Sequence, residues 1–457
     1  MDLSLLTAIS PVDGRYFKLT QSLRNIFSEY SFLRYRLQVE ILWFKKITSM
    51  YEILEIRKLE SKDVLFIDNI LKNFSIKDAI YIKNIEKETN HDIKALEYFL
   101  KYKFSKSKKL SLISEFIHFS CTSEDINNVA YALMIKDSIN QVLLPLWSEI
   151  INFLKKYSIQ YKNSSLLSMT HGQPATPSTM GKEILNFYYR IQRQFSRLKK
   201  IEILAKFNGT TGNYNAHLAA YPNVNWHIIS KEFITSLNLI WNPCTTQIEP
   251  HDYIAEIFGC ISLFNTILID FNRDIWGYIS LNYFKQTSID HEVGSSVMPH
   301  KINPIDFENS EGNLGLSNAL MHHMIKKLPI SRWQRDLSDS TVLRNIGLAL
   351  SYSVIAYYSV LNGMKKLKIN HAQLLRNLNQ NWSILSEAIQ TVMRRYNIKS
   401  SYEQLKKLTR GKEINKIDIH KFISSLNIPE IEKKRLKKIS PVNYIGSAIQ
   451  IIEETTA

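Results

Sequence analysis

Prolines occupy only a few parts of this 457-residue chain, and their distribution favours helices. No proline lies between Pro11 and Pro145 or between Pro329 and Pro429, and the chain has only 14 glycines. Because a proline removes a backbone hydrogen-bond donor and clashes with the preceding helical turn, long stretches without it permit long helices. No alternating apolar pattern is long enough for a large sheet. The sequence therefore predicts an all-α fold.

The helical patterns change in length along the chain and predict three domains. Patterns of modest length fill residues 1–110, whereas short, highly charged ones fill residues 366–457. Between them, residues 111–365 predict a central bundle of long helices, apolar on all sides, whose outer faces need partner subunits. The longest apolar patterns cover residues 124–160, 178–206, 251–285, 310–327 and 340–365.

The formal net charge of +16 makes nucleic acid a partner to consider. The basic residues are scattered, however, and their densest runs, 101–109 and 433–438, are typical of solvated helix faces. Three cysteines without a paired motif, and an N-terminus without a basic, apolar leader, predict a cytoplasmic protein. The most apolar run, 346–361, is short for a membrane span and predicts a buried helix. We expect neither nucleic acid nor a membrane as partner.

Residues 294–309 are predicted to form a functional loop. The segment carries two serines, a lysine and two asparagines around Pro299 and Pro304. Two prolines so close together exclude a core helix. Loops with so many reactive and anion-binding side chains are functional more often than structural.

Three further polar groups, residues 89–92, 118–125 and 170–177, lie between the predicted long helices and could converge on one cleft. His171 is either a proton carrier near neutral pH or a capping or core histidine. Thr122 and Ser123 precede two acidic residues, so they are predicted to cap a helix. Capping is compatible with anion binding, because a helix start also presents free N–H groups.

Ser340 and Arg344 are four residues apart on one predicted helix face, with Arg335 just upstream. A hydroxyl, a helix start and guanidinium groups together suit a phosphate. The alternative is a surface arginine pair bridged to Asp336 and Asp339. No metal-ligand spacing and no glycine-rich phosphate loop with its lysine occurs, so we expect no metal and no cofactor. Acid–base chemistry on an anionic substrate remains.

Residues 294–304 resemble the signature loop of the fumarase/aspartase superfamily, GSSxMPxKxNP. The three polar groups resemble other segments of that family in the same order, and the resemblance runs from residue 12 to residue 412. It implies a three-domain helical fold with a long central bundle and a homotetramer with shared active sites. The implied reaction is a β-elimination that releases fumarate from small succinylated purine nucleotides.

The same resemblance implies roles for individual residues, by motif position. Ser295 would be the general base and His171 the general acid. The residues implied to hold the succinyl carboxylates are Ser296, Lys301 and Asn303, helped by Thr122 and Ser123. Those implied to hold the phosphate are Arg15, Tyr16, Arg335, Ser340 and Arg344. Those implied to complete the pocket are Asn90, His91, Asp92, Gln247 and Asn309.

Two alternatives remain open. One is another superfamily lyase, acting on argininosuccinate, aspartate or malate, although the last two substrates carry no phosphate. The other is an inactive structural or nucleic-acid-binding protein, supported only by the net charge. The chain departs from the family pattern at Asp290 and His291, where relatives usually have a small, glycine-containing pair, and at residues 209–212.

Overall fold

The computed structural model describes residues 2–53, 55, 58–287, 298 and 300–456. It is 65% helical, which confirms the predicted all-α fold. Over these residues the first eleven helices are α1 (Gln21–Phe27), α2 (Glu29–Thr48), α3 (Ser61–Lys72), α4 (Ile76–Thr89), α5 (Asp92–Phe104), α6 (Lys108–Leu112), α7 (Ser123–Ser138), α8 (Leu144–Gln160), α9 (Met180–Leu198), α10 (Asn215–Ala220) and α11 (Trp226–Ser236). The following ones are α12 (Asp252–Ser280), α13 (Ile305–Lys327), α14 (Ser338–Leu343), α15 (Ile346–Lys366), α16 (His371–Asn379), α17 (Ser386–Arg395), α18 (Ser401–Thr409), α19 (Lys416–Ser425), α20 (Glu430–Lys437) and α21 (Ala448–Thr456).

Three small strand pairs accompany the helices in the described parts of the chain. The strands are β1 (Ser165–Thr170), β2 (Gln173–Thr179), β3 (Leu204–Ala205), β4 (Ile240–Trp241), β5 (Phe284–Gln286) and β6 (Leu367–Ile369). β1 and β2 pair antiparallel, as do β5 and β6, whereas β3 and β4 are parallel.

The chain divides into two compact units. The first comprises Met1–Leu146, Phe195–Thr266 and Gly312–Ala356, and the second comprises Trp147–Gln194, Ile267–Glu311 and Tyr357–Ala457. The divisions fall within α8, α9, α12, α13 and α15. The three-domain division at residues 110 and 365 stays a prediction.

Each unit has an apolar core that uses one face of its amphipathic helices. In the first unit a core formed by α2 to α6 includes Leu37, Phe44, Leu96 and Phe99. In the second unit a separate core formed by α17 to α20 includes Ile389, Met393, Leu405, Ile419 and Ile423. Two short 3-10 turns, Ser114–Phe116 and Trp382–Leu385, lie beside these cores.

Pro145 explains an irregularity in the pattern predicted as one helix over residues 124–160. A single wide helical turn, Ile139–Leu143, joins α7 to α8 and ends two residues before the proline. Because Pro145 has no N–H to donate to the preceding turn, the regular hydrogen-bond ladder is interrupted here, and a π-type turn accommodates the break.

The helix predicted over residues 340–365 is wrong as a single element. α14 ends at Leu343 and α15 begins at Ile346, because the Asn345 side chain donates to the Thr341 carbonyl at 3.1 Å and competes with the backbone ladder. The helix predicted over residues 178–206 is also shorter than predicted. It is α9, and the predicted ends lie partly in β2 and β3.

Within the described ranges, two helical stretches are long and apolar enough to cross a membrane: α12, and α14 together with α15. In the most apolar windows of these stretches, 61% and 72% of the residues are buried within the protein. This burial is typical of core helices in a soluble protein, and it confirms the buried helix predicted over residues 346–361.

Candidate active site

The start of α7 is fixed by a reciprocal cap. The Thr122 backbone N–H donates to Asp125 Oδ2 at 2.9 Å, and the Thr122 side chain accepts from the backbone N–H of Asp125. This capping box confirms the predicted capping role of Thr122. The cap uses one lone pair of the Thr122 hydroxyl, so the hydroxyl can still donate a hydrogen bond to an anion.

A fully buried ion pair ties this helix start to residues 206–209. Lys206 Nζ lies 2.9 Å from Asp125 Oδ1, and both side chains are 0% exposed. The backbone N–H groups of Asn208 and Gly209 also donate to Asp125, at 3.0 and 3.1 Å. Asp125 therefore has a charge partner and several donors, as a buried carboxylate requires.

Arg335 faces the same helix start. Its Nη2 donates to Glu124 Oε1 at 3.0 Å and its Nη1 donates to Gln247 Oε1 at 3.2 Å. Glu124 is buried and also accepts from Asn127 Nδ2 at 2.9 Å. Among the described residues, the buried Arg335 Nε has no hydrogen-bond partner. The structure thus brings together the predicted site residues Arg335 and Gln247.

A second guanidinium cluster lies in the same unit. Arg36 donates to Asp92 Oδ2 at 2.6 Å and to Asn127 Oδ1 at 2.9 Å. Burial alone would raise the pKa of Asp92. The charge and hydrogen bond of Arg36, the Ile93 backbone N–H and the charge of Arg344 together outweigh burial and lower that pKa. Arg344 lies 3.7 Å from Asp92 and donates to Glu29 Oε2 at 3.3 Å.

Two cavities flank the Arg344 side chain. One, of about 200 Å³, is lined by Glu29, Phe32, Tyr131 and Arg344, among others. The other, of about 220 Å³, is lined by Asp13 and Arg344, among others. Arg344 can therefore meet a ligand from either side.

The predicted alternative partners of the two arginines are otherwise engaged. Asp336 lies 3.5 Å from Arg332, and Asp339 lies 3.5 Å from His251 Nε2. Burial opposes ionisation of Asp339, but the hydrogen bond and charge of His251 hold its pKa below the ordinary value. Arg335 and Arg344 instead pair with Glu124, Glu29 and Asp92.

The remaining predicted residues of the first unit lie on helix ends and turns. Asn90 ends α4 in the left-handed conformation (φ 53°), and the His91 side chain caps α5 by accepting from Lys94 N–H at 3.1 Å. Ser340 is half-buried on α14. The exposed Arg15 lies over the Tyr16 ring, 5.9 Å from its centroid.

His171 occupies the tip of the hairpin formed by β1 and β2, in the second unit. It is exposed, and it shares a two-residue turn with Gly172, at φ 53° and 71°. Two positive φ values are the mark of a type I′ turn. The sequence predicted a loop here; the hairpin was missed, and the core-histidine alternative is wrong.

The predicted base, Ser295, and the predicted carboxylate-binding residue Ser296 lie outside the described residues, as do Asp290 and His291. Of the residues that follow, Lys301 is exposed and Asn303 is half-buried. Asn309 lies on α13, where its side chain donates to Ser359 Oγ at 2.7 Å.

Comparison with known proteins decides the family. Residues 14–317 match the family described as "Lyase", and residues 331–445 match the one described as "Adenylosuccinate lyase C-terminal". The adenylosuccinate lyase of Buchnera aphidicola subsp. Schizaphis graminum is 74% identical over 99% of this chain and 100% of that protein. The Escherichia coli K12 adenylosuccinate lyase is 57% identical with the same coverage.

The chain belongs to the adenylosuccinate lyase family. Solved structures of more distant proteins share the fold of this lyase. A fumarate lyase from Mesorhizobium sp. BNC1 has a TM-score of 0.77 at 16% identity and covers 95% of this chain and 97% of its own. The 3-carboxy-cis,cis-muconate lactonizing enzyme of Pseudomonas putida has a TM-score of 0.75 at 17% identity, covering 95% and 96%.

Several charged residues of this lyase's candidate site were missed from the sequence. Arg36 and Glu40 are buried within α2, and Glu40 Oε1 lies 2.6 Å from His118 Nδ1. Burial alone would lower the pKa of His118, but the charge and hydrogen bond of Glu40 raise it. One signal was available, since charged residues interrupt the otherwise apolar face of α2.

We expect the His118–Glu40 pair to make stability depend on pH. Because the folded-state pKa of His118 is raised, the pair's contribution is fully present below about 6.5, the ordinary value, and is lost as pH rises through the folded pKa. The thermal midpoint of the wild type should therefore exceed that of His118→Gln by more at pH 6 than at pH 9. Equal differences at both values would contradict this ionisation.

Proposed function

We propose that this lyase cleaves adenylosuccinate to AMP and fumarate. The second proposed substrate is SAICAR, the succinylated aminoimidazole carboxamide ribotide, which would give AICAR and fumarate; both steps belong to purine biosynthesis. The observation that carries the proposal is the identity of 57–74% to adenylosuccinate lyases over nearly the whole chain. It favours these substrates over argininosuccinate, aspartate or malate, and an enzyme over a structural or nucleic-acid-binding protein.

The proposed chemistry is removal of a proton beside a carboxylate, followed by loss of the nitrogen. The first step builds a second negative charge on that carboxylate, which Lys301 and Asn303 would stabilise. Ser295 would take the proton, which requires a positive environment closed to water because serine is a weak base. His171 would protonate the departing nitrogen. No cofactor or metal is invoked.

The start of α7 is proposed to bind succinyl carboxylate. The Thr122 hydroxyl keeps its proton available despite the cap, and Ser123 is the first residue of the helix. A helix start favours anions through its unsatisfied N–H groups and its dipole. Ser296, which lies outside the described residues, is proposed to contribute to the same clamp.

Phosphate binding is assigned to Arg335, Ser340 and Arg344, with Arg15 and Tyr16 from the N-terminal segment. Two guanidinium groups in one unit suit a dianion, because each can donate two parallel hydrogen bonds. The cavities beside Arg344 support this assignment, as does the buried Arg335 Nε, which has no hydrogen-bond partner in the described part of the chain. Asn90, His91, Asp92, Gln247 and Asn309 remain proposed as neighbours of the nucleotide.

We expect Arg335→Gln to weaken binding of phosphorylated substrate selectively. Loss of a charged hydrogen-bond donor should raise KM for adenylosuccinate at least about tenfold. The KM for succinyladenosine, which lacks the phosphate, should change little. Steady-state fumarate release with both substrates makes the measurement.

Arg332→Gln is the matched control for that experiment, because Arg332 is exposed and pairs with Asp336. It should leave both KM values near those of the wild type. An equal loss on both substrates in Arg335→Gln would contradict phosphate recognition.

A cytoplasmic homotetramer with shared active sites is the proposed assembly. Trp333 is 93% exposed and Leu337 is 71% exposed, which is unusual for large apolar side chains that stay in water. The exposed position of His171 on its hairpin also suits a site completed by other subunits. Light scattering should give a mass about four times that of the 53.3 kDa chain; a monomeric mass would contradict this assembly.

A further inference from the structure

Glu29 forms an ion pair with Arg344 that a ligand can easily replace. The Glu29–Arg344 distance is 3.3 Å, and the two side chains are 44% and 42% exposed. Exposed ion pairs of this kind contribute little stability. The other carboxylate near Arg344, Asp92, is held at 2.6 Å by Arg36 and also accepts from the Ile93 backbone N–H at 2.8 Å. Of the two, Glu29 is therefore the one that a ligand can displace.

Glu29 also has a second partner. Lys83 Nζ, on α4, lies 3.0 Å from Glu29 Oε1, whereas Arg344 binds the other carboxylate oxygen, Oε2. When Glu29 leaves Arg344 it can therefore remain paired with Lys83. The displacement would cost one ion pair without leaving a charge unpartnered.

The site's geometry places Glu29 where an anion would reach Arg344. Glu29 and Arg344 line the same cavity of about 200 Å³, together with Phe32 and Tyr131. Phe32 lies under both guanidinium groups, 3.7 Å from Arg36 and 5.9 Å from Arg344, measured from the guanidinium carbon to the ring centroid. These contacts orient the two guanidinium groups, so an anion that enters this cavity has to compete with Glu29 for Arg344.

We propose that Glu29 is a specificity-determining residue that occupies Arg344 until a phosphate displaces it. The inference rests on the proposed phosphate-binding role of Arg344. Because the anion must outcompete a carboxylate, a phosphate dianion succeeds where a singly charged group on an otherwise similar molecule does not. Lys83 stays paired with Glu29 when the ligand is bound to Arg344. This pairing lowers the cost of replacing Glu29 by phosphate at Arg344.

Direct titration with inorganic phosphate tests the competition without relying on turnover. Glu29→Gln should bind phosphate about two- to fivefold more tightly than the wild type, the range expected for one exposed ion pair. Lys83→Gln should bind it more weakly, because Glu29 then has Arg344 as its main partner. In kinetics, the KM of Glu29→Gln for adenylosuccinate should fall while kcat changes less than KM.

Glu29→Asp distinguishes displacement of Glu29 from Arg344 from a general electrostatic effect of the negative charge at residue 29. It keeps the charge but shortens the side chain by one methylene, so the contact with Arg344 is lost. Displacement predicts tighter phosphate binding, as in Glu29→Gln. Wild-type affinity in Glu29→Asp, or unchanged affinity in Glu29→Gln, would overturn the inference. If phosphate binding responds as expected but adenylosuccinate is not cleaved, the proposed function fails and the competition at Arg344 stands.

Discussion

Replacing His171 with asparagine is expected to lower kcat by at least ~10²-fold, because asparagine cannot transfer a proton to the departing nitrogen. The substitution suits the local backbone. His171 and Gly172 form a turn with φ values of 53° and 71°, and Asn-Gly is a favoured pair for such a turn. The hairpin should therefore keep its shape, and a lost rate can be assigned to chemistry.

The control for this experiment is the same substitution at another exposed histidine. His371, the first residue of α16, lies in the same unit, and His371→Asn should retain kcat. Circular dichroism and thermal midpoints should match the wild type in both variants. Near-normal turnover by folded His171→Asn, or by Ser295→Ala at the proposed base, would contradict the acid–base assignment.

Lys206→Met is expected to destabilise the protein by about 3–5 kcal/mol, the cost of leaving a buried charge without its partner. Lys206 and Asp125 are both 0% exposed and lie 2.9 Å apart. Methionine fills much of the same volume, so the loss reflects the uncompensated carboxylate of Asp125 more than a cavity. Urea unfolding of the single variant against the wild type gives the measurement.

Two further variants make the stability experiment specific to burial. Lys46→Met removes a lysine whose partner, Glu232, is even closer at 2.6 Å but exposed, and it should cost only ~0–1 kcal/mol. Adding Asp125→Asn to Lys206→Met removes the unpaired charge and should recover part of the loss. Equal losses for Lys46→Met and Lys206→Met would show that burial of the pair does not matter.

Local patterns in the sequence predicted the helices well, because proline distribution and apolar periodicity act within one turn. The places where they failed have local causes. Asn345 divides a predicted helix through its own side chain, and Pro145 forces a wide turn. The sequence predicted a loop at the His171 hairpin because β2 contains Pro174 and Pro177, and proline is rare inside a strand.

The charge pairs of the candidate site could not be predicted in this way. Arg344 and Glu29 are 315 residues apart in the chain, and Arg335 and Glu124 are 211 apart. Only packing of distant helices decides which carboxylate meets which guanidinium group. Residue spacing and the motif resemblance both predicted Arg335 and Arg344 as site residues, but neither paired them with Glu29 or Glu124 or pointed to Arg36.

The most direct test of the proposed function is fumarate release from adenylosuccinate by the purified protein. The absorbance change that accompanies cleavage should be proportional to enzyme concentration and should yield AMP and fumarate in equal amounts. Turnover should be absent with argininosuccinate, aspartate and malate. No release from adenylosuccinate by the folded protein, together with turnover of one of the other three, would contradict the account.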